Sequence, residues 1–396
     1  MIETETHHNC VTGNSIAPLQ RHAVSVETLT EEEVFENLQD EWNELVRNSD
    51  AANIFLTWEW ISTWWRHFGK RARLHVLVMR DAGDGRLVGL LPLMQRRQPF
   101  SAGPIRELAF LGCTTAAPDH QDLIARAEYE RPVVEAAVAT LTNPKMSWDL
   151  LRLEGMSATS KLLSSLPNAL PTARLLQWET HCPYLDLPND WDEFFVGLDR
   201  KLQNNFRRQE RRLEEHADGP VTCHQVTDSS ELEAALSDLL DLHRQIRNGQ
   251  GEAGSFGGEA MQKFHREVAG KFLENDWLRL YRLKVGERTI AASYCFSFAE
   301  TVSLYQTGYD RNFSRYGPGA RIIMFALRRA IEDGAKTFDF LRGNHPYKYQ
   351  WTDLTRHDVK FRMAATIKGR AFLSTYGLLR NVRRKWKTRS KHKSGS

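Results

Sequence analysis

Residues 291–351 read AASYCFSFAETVSLYQTGYDRNFSRYGPGARIIMFALRRAIEDGAKTFDFLRGNHPYKYQW. Strand-forming residues mark two strands, Thr289 to Phe298 and Val302 to Tyr309, close enough to pair as a hairpin. A Gly/Pro turn follows, Arg315-Tyr-Gly-Pro-Gly-Ala320, then an amphipathic helix and a short strand from Thr337 to Leu341. A polar and aromatic cluster closes the stretch at Trp351. A strand that passes through a glycine turn into a helix presents backbone N–H groups to a phosphate or another anion. The stretch therefore reads as an anion-holding unit, with room for chemistry at the end of the short strand.

Outward from this unit, 396 residues exceed one ordinary core, so two domains are expected. The division falls at a disordered terminus (1–20), an N-terminal domain (21–180), a C-terminal domain (181–375) and a basic tail (376–396). Fifty-three Lys and Arg against 50 Asp and Glu give a net charge of +3, which excludes a polyelectrolyte binder as a whole-chain property. Eleven tryptophans point to aromatic-rich faces and clefts. Five widely spaced cysteines without a CxxC pair argue against a disulfide framework and a thiolate zinc site, and for a reducing compartment. The N-terminus has no apolar core of the leader type, and no run approaches a spanning helix, so the cytoplasm is the expected location. Arg380 to Lys393 carries eight Lys and Arg and no acid; it reads as a solvated extension or as a contact with an anionic membrane surface or RNA.

The N-terminal half repeats the pattern of helices, strand, hairpin, helix and strand. Thr30 to Glu33 has the form of a capping box. The segment NIFLTWEWISTWWRHFG (53–69) places Trp60, Trp64 and Phe68 on one helix face, as core or as the wall of a cleft. Pro118-Asp-His-Gln-Asp122 is this half's polar cluster, a plain loop or an acceptor contact. Trp191 to Glu215 reads as one long polar helix whose arginines form a solvated face or meet a phosphate-rich ligand. The glycine-rich segment 248–258 has the composition of a surface loop or of a lid.

Three stretches, GYDRNFSRYGPGA (308–320), DFLRG (339–343) and YKYQW (347–351), resemble the GNAT superfamily of N-acyltransferases. The likeness is to its BioF2-like/CelD-type acetyltransferases, relatives of the FemAB aminoacyl transferases, and it extends over roughly residues 25 to 370. The resemblance implies an α/β fold of tandem GNAT-like domains, each a mixed, mostly antiparallel sheet flanked by helices. It further implies an acyl-CoA donor, acetyl-CoA above all, with its pyrophosphate on Arg315, Tyr316, Gly317, Gly319 and Ala320. Pro318 stands where the family pattern has glycine and removes one N–H from that cradle.

Acyl transfer to an amine or hydroxyl needs a base for the nucleophile, a stabilised oxyanion and a proton for the leaving group. Asp339 and His345 are the candidate bases, and Tyr347 the acid or acceptor contact. Arg342 and Lys348 are suited to neutralise a phosphate or an acidic sugar, with Asn344, Trp351 and His243 beside them as acceptor-binding candidates. Each has a structural rival: Asp339 with Arg342 as an ion pair, Trp351 as a core plug, His243 as a buried histidine. No metal and no obligate protein partner are expected; the acceptor is a small molecule or a glycan precursor. The other readings are a FemAB-like transferase using aminoacyl-tRNA and a catalytically inactive GNAT-like binding module.

Overall fold

The computed structural model of the protein describes residues 23–113, 115–116, 118–248 and 256–378. The expected lid, the N-terminal segment and the basic tail fall largely or wholly outside these. Thirteen strands run in chain order as β1 (Val24–Leu29), β2 (Arg73–Asp81), β3 (Leu87–Gln98), β4 (Ile105–Phe110), β5 (Ile124–Ala125), β6 (Leu150–Ser157) and β7 (Arg174–Asp186), then β8 (Val221–Gln225), β9 (Leu278–Val285), β10 (Arg288–Phe298), β11 (Thr301–Tyr309), β12 (Thr337–Asp339) and β13 (Thr355–Ala364). The helices are α1 (Glu33–Asn37), α2 (Gln39–Arg47), α3 (Trp58–Phe68), α4 (Glu130–Thr142) and α5 (Lys161–Ala169), then α6 (Trp191–Gly197), α7 (Arg200–His216), α8 (Ser229–Asn248), α9 (Glu259–Glu274) and α10 (Pro318–Glu332).

All strands belong to one mixed sheet, in the order β1-β2-β3-β4-β6-β13-β7-β12-β11-β10-β9-β8, with β5 against β3. Each half contains the same unit. In the N-terminal half β4 and β6 are parallel neighbours joined through α4; in the C-terminal half β11 and β12 are parallel neighbours joined through α10. Where two parallel strands part at their carboxyl ends, a crevice opens, and ligands of α/β sheets bind in such crevices.

Residues 174–186, which span the expected boundary between the domains, form the longest strand. β7 pairs with β13 along Arg174 to Pro183 and with β12 along Tyr184 to Asp186, so it belongs to both halves. The division at 180/181 thus falls inside β7. The last strand, β13, returns to lie between β6 and β7 within the N-terminal half's sheet. The expected long helix after Trp191 is two helices, because Asp199 breaks it. Its side chain accepts the N–H groups of Lys201 and Leu202 and caps α7 afresh. The helix expected after Thr30 is likewise split, into α1 and α2 at Leu38.

One core spans the halves and a second lies under α10. Trp60 and Trp64 of α3 are buried, and Trp60 meets Phe264 of α9 edge-on at 5.0 Å and Phe296 of β10 at 6.1 Å. The aromatic segment 53–69 is therefore core between the halves. Ile322, Ile323, Ala326, Leu327, Ala330 and Ile331 form the buried stripe of α10 against β9 to β12.

Candidate active site

The C-terminal crevice lies between β11 and β12. The two strands pair only over Thr301 to Ser303 and Thr337 to Asp339. Beyond Ser303 the β12-facing edge of β11 has no strand beside it. The β10–β11 register shifts where Tyr294 faces Gln306 and Cys295 faces Leu304, so Tyr305 is a bulged residue. A cavity of about 570 Å³ opens there, with Leu304, Gln306, Thr307, Gly319, Ala320 and Phe340 among its walls. His243, Arg342, His345, Tyr347 and Lys348 line the same cavity, so with Gly319 and Ala320 the structure brings together seven residues singled out from sequence.

The start of α10 explains the Gly/Pro turn. Gly317 caps the helix with φ +61°, and a Cβ there would sit 2.3 Å from Oε1 of Gln209 in α7; only glycine suits both demands. Pro318 occupies the first helical turn's leading position, where an N–H has no intrahelical acceptor in any case, and its fixed φ favours the helix. The proline therefore starts the helix, and the N–H groups left at the opening are those of Gly319 and Ala320. No acidic residue lies in the first turn. Arg315 and Tyr316 sit differently from the expectation: exposed Arg315 stacks at 4.6 Å on the ring of buried Tyr316, and neither lines the cavity.

Lys348 is 3% exposed, and its ammonium donates to the carbonyls of Phe340, Leu341 and Arg342, each at 2.7 Å. Its three donors are used within the chain, so Lys348 shapes the turn after β12 in place of the expected phosphate contact. Arg342 donates its backbone N–H to Asp119 at 2.8 Å, and its guanidinium binds the Asp119 carboxylate and the Pro118 carbonyl. Arg342 is thus a latch between the halves; the ion pair weighed for it exists, but with Asp119. Trp351 is 4% exposed, packs on Phe206 and lies outside the cavity, as the core plug. Asn344 is exposed and also outside it. His345 and Tyr347 stack at 6.1 Å on the rim, and His243 is buried against Phe256 in the wall.

Asp339 does not join them. It faces a second cavity of about 580 Å³, together with His120, Asp122, Glu130, Ser160 and Arg356. This one lies at the start of α4 and the end of β6, the counterpart of the first in the N-terminal half. His120 Nδ1 is 2.8 Å from Asp358 and its Nε2 is 3.1 Å from Asp339. Burial opposes a charge on His120, but Asp339 and Asp358 outweigh it and hold the imidazolium well above its usual range. Burial likewise works against the Asp339 carboxylate, and His120 and then Arg356 more than offset it. Burial pushes Asp122 up to about 7, although it accepts from Ser160 Oγ at 2.6 Å and from Leu123 N at 2.7 Å. Sequence reasoning touched Asp119, His120 and Asp122 as one polar loop. It had no signal for their long-range partners Arg342, Asp339 and Asp358.

His120, Asp358 and Cys182 also bring potential metal ligands within 4.8 Å of one another. Nδ1 of His120 is already hydrogen-bonded to Asp358, and burial pushes the Cys182 thiol far up. This set reads as a hydrogen-bonded core. Among the described residues no helix is long and apolar enough to cross a membrane.

Residues 200–349 match the family model of an acetyltransferase (GNAT) domain. No curated protein matches the sequence. Among solved structures the chain is similar to FemX, at 11% identity and a TM-score of 0.58, covering 88% of this chain and 99% of that one. It is similar also to a conserved protein of unknown function from Bacteroides thetaiotaomicron, at 13% identity and a TM-score of 0.54, covering 85% and 100%. A third is the C-terminal domain (DUF2156) of a putative lysylphosphatidylglycerol synthetase from Agrobacterium fabrum, at 10% identity and a TM-score of 0.50, covering 86% and 95%. These identities speak for the fold alone. With the parallel β11–α10–β12 unit inside the matched residues, the C-terminal half is similar to a GNAT acetyltransferase domain, and the chain as a whole shares the fold of FemX.

Proposed function

We propose that the protein transfers an acyl group from an acyl-CoA thioester, held in the C-terminal crevice, to an amine or hydroxyl of a small acceptor such as a glycan precursor. The observation that carries this reading is the opening of α10. Two N–H groups, a positive helix end and no acidic side chain face a crevice whose strand edge is free. That geometry suits a donor with a diphosphate at one end and amide groups along a narrow arm. The unpaired β11 edge from Leu304 to Thr307 offers N–H and C=O groups to such an arm and an N–H to the oxyanion.

His345 on the rim takes the proton of the attacking nitrogen or oxygen, and the new bond to the carbonyl carbon forms. The carbon–sulfur bond then breaks, and Tyr347 returns a proton to the departing thiolate. Arg342 and Lys348 position the turn that carries both.

A second reading rests on α7. Arg200, Lys201, Arg207, Arg208, Arg211 and Arg212 are exposed, and the helix lies beside the turn at Gly317. A polyanionic donor, an aminoacyl-tRNA, would follow that face. Calorimetric titration of the protein with acetyl-CoA and with charged tRNA separates the two. Tight acetyl-CoA binding that is indifferent to charge reversal at Arg207 and Arg211 supports the first. Binding of tRNA alone, weakening steeply with salt and lost on that reversal, would replace it with the second.

A further inference from the structure

We infer that the C-terminal end of the chain is a docking surface for an anionic phospholipid bilayer. This goes beyond the transfer proposed above and does not depend on it. Past β13, residues 367–378 are helical. One side of this helix is seated on β4, β6 and β13. Leu373 is buried with Ile105, Leu150 and Ala364, and Phe372 meets Phe100 edge-on at 5.4 Å. The Arg362 guanidinium lies over the Tyr376 ring at 4.0 Å. Gly369 passes so close that a Cβ there would sit 2.0 Å from the Asp149 carbonyl oxygen. That seat decides which side is left outside. Ile367 is 85% exposed and Leu378 69%. They lie about three helical turns apart and so project from the same side, with exposed Ala371 and Thr375 between them. A lone exposed apolar residue needs no explanation. Two in line on a firmly seated helix are a face prepared for an apolar partner.

Charge identifies the partner. Residues 365–396 hold ten Lys and Arg and no acid, so the rest of the chain has 43 Lys and Arg against 50 Asp and Glu, a net −7. An anionic surface therefore attracts this end and repels the remainder as a whole, which sets the orientation of the protein as well as its contact. Within the basic run, Val382 and Trp386 follow Leu378 at intervals of four. Apolar and aromatic residues at helical spacing among Lys and Arg are the composition of a segment that lies in a headgroup layer. Among the described residues no helix is long and apolar enough to cross a bilayer, so the contact is with its surface. The apolar side also chooses between polyanions. An RNA would engage the cations and leave Ile367 and Leu378 in water. A bilayer takes up both, and insertion combined with charge holds a protein where either alone holds it weakly.

The test is flotation of the whole protein with vesicles of phosphatidylcholine, or of phosphatidylcholine and phosphatidylglycerol in equal parts, beside a filter-binding titration with polyuridylate. The anionic vesicles are expected to bind at least about tenfold more tightly than the neutral ones. Ile367→Ser together with Leu378→Ser should weaken that binding about a hundredfold, roughly tenfold for each apolar side chain withdrawn from the bilayer. The thermal midpoint should stay that of the parent, because both positions are exposed. Arg383→Gln together with Arg384→Gln should weaken binding about tenfold or more, and keeps the test open if the serine pair lowers the midpoint. The inference is overturned if the anionic vesicles do not bind, if neutral vesicles bind equally well, or if the serine pair folds and binds vesicles as the parent does. Tight polyuridylate binding without vesicle binding would overturn it in favour of a nucleic acid. Failure of acetyl-CoA to bind would count against the transfer reading alone.

Discussion

The two crevices are products of one architectural unit, a strand, a helix and a parallel strand, yet the helix ends that open onto them differ in charge. At the start of α10 stand Gly317, Pro318, Gly319 and Ala320, and the backbone faces outward. At the start of α4 stand Glu130, Arg131 and Pro132, and a carboxylate faces outward. The lesson is that the crevice comes from topology, while its electrostatic sign comes from three or four residues at one helix end. Arg342 and Asp119 hold the two units in a fixed relation. The turn after β12 in one unit is thereby latched to the loop after β4 in the other.

The largest effect expected is on that latch. Asp119 is 2% exposed, and Asp119→Ala leaves the backbone N–H of Arg342 without its acceptor and the guanidinium with the Pro118 carbonyl but no counter-charge from Asp119. About 3–5 kcal/mol of stability should be lost, read from urea unfolding; a loss under about 1 kcal/mol would mean that the crevices are not coupled through this pair. Next, Ala320→Glu gives the C-terminal crevice the character of the N-terminal one. Acetyl-CoA affinity should fall about a hundredfold while the fold stays as stable, since a glutamate at this helix position is itself favourable. Unchanged affinity would remove α10 from donor binding.

A smaller effect is expected at Gly155, the bulged residue of β6, with φ +75°; a Cβ there would lie 2.6 Å from the Pro118 carbonyl. Gly155→Ala should cost about 1–3 kcal/mol, and a second substitution at Arg342 should recover part of it if the strain acts through the latch. The smallest concerns Asp122. Its native value near 7 lies above the unfolded value of about 3.9. The native state therefore keeps a proton that the unfolded chain has released between these values, and the parent loses stability as pH rises through this window. Asp122→Asn should be more stable than the parent by about 1–2 kcal/mol at pH 8, with the advantage vanishing near pH 4. An advantage independent of pH would show that Asp122 titrates normally.

Much of the C-terminal unit was legible because its signals are local. The hairpin of β10 and β11, the Gly/Pro turn and the amphipathic α10 each declare themselves within a few residues. Seven of the singled-out residues meet in one cavity for the same reason, since two open α10 and four follow β12 closely. What was missed depends on contacts distant in sequence. β7 alternates exposed and half-buried residues and carries Pro183, and the expected domain boundary was drawn through it; its strand character comes from pairing with β13, more than 170 residues away. Asp339 entered the reading as a candidate base, with Arg342 as its possible ion-pair partner, but its partner His120 lies 219 residues earlier, beyond any local pattern. One internal signal was available. Leu153-Glu-Gly155 lies at the bulge of β6 and Leu341-Arg-Gly343 follows β12, and both glycines have positive φ. That short echo marks the two equivalent units.

The path of β13 has a consequence for synthesis. The N-terminal half's sheet is incomplete until residues 355–364 slot between β6 and β7. On the ribosome, the first half of the chain must therefore wait while nearly all of the second is made. At about 5–20 residues per second, that is a delay of roughly ten seconds or more, with two strand edges open to other chains. The protein is assembled as a closed loop, last strand into first sheet, and a nascent chain that stops before Thr355 is exposed to chaperones and proteases with its earliest domain unsealed.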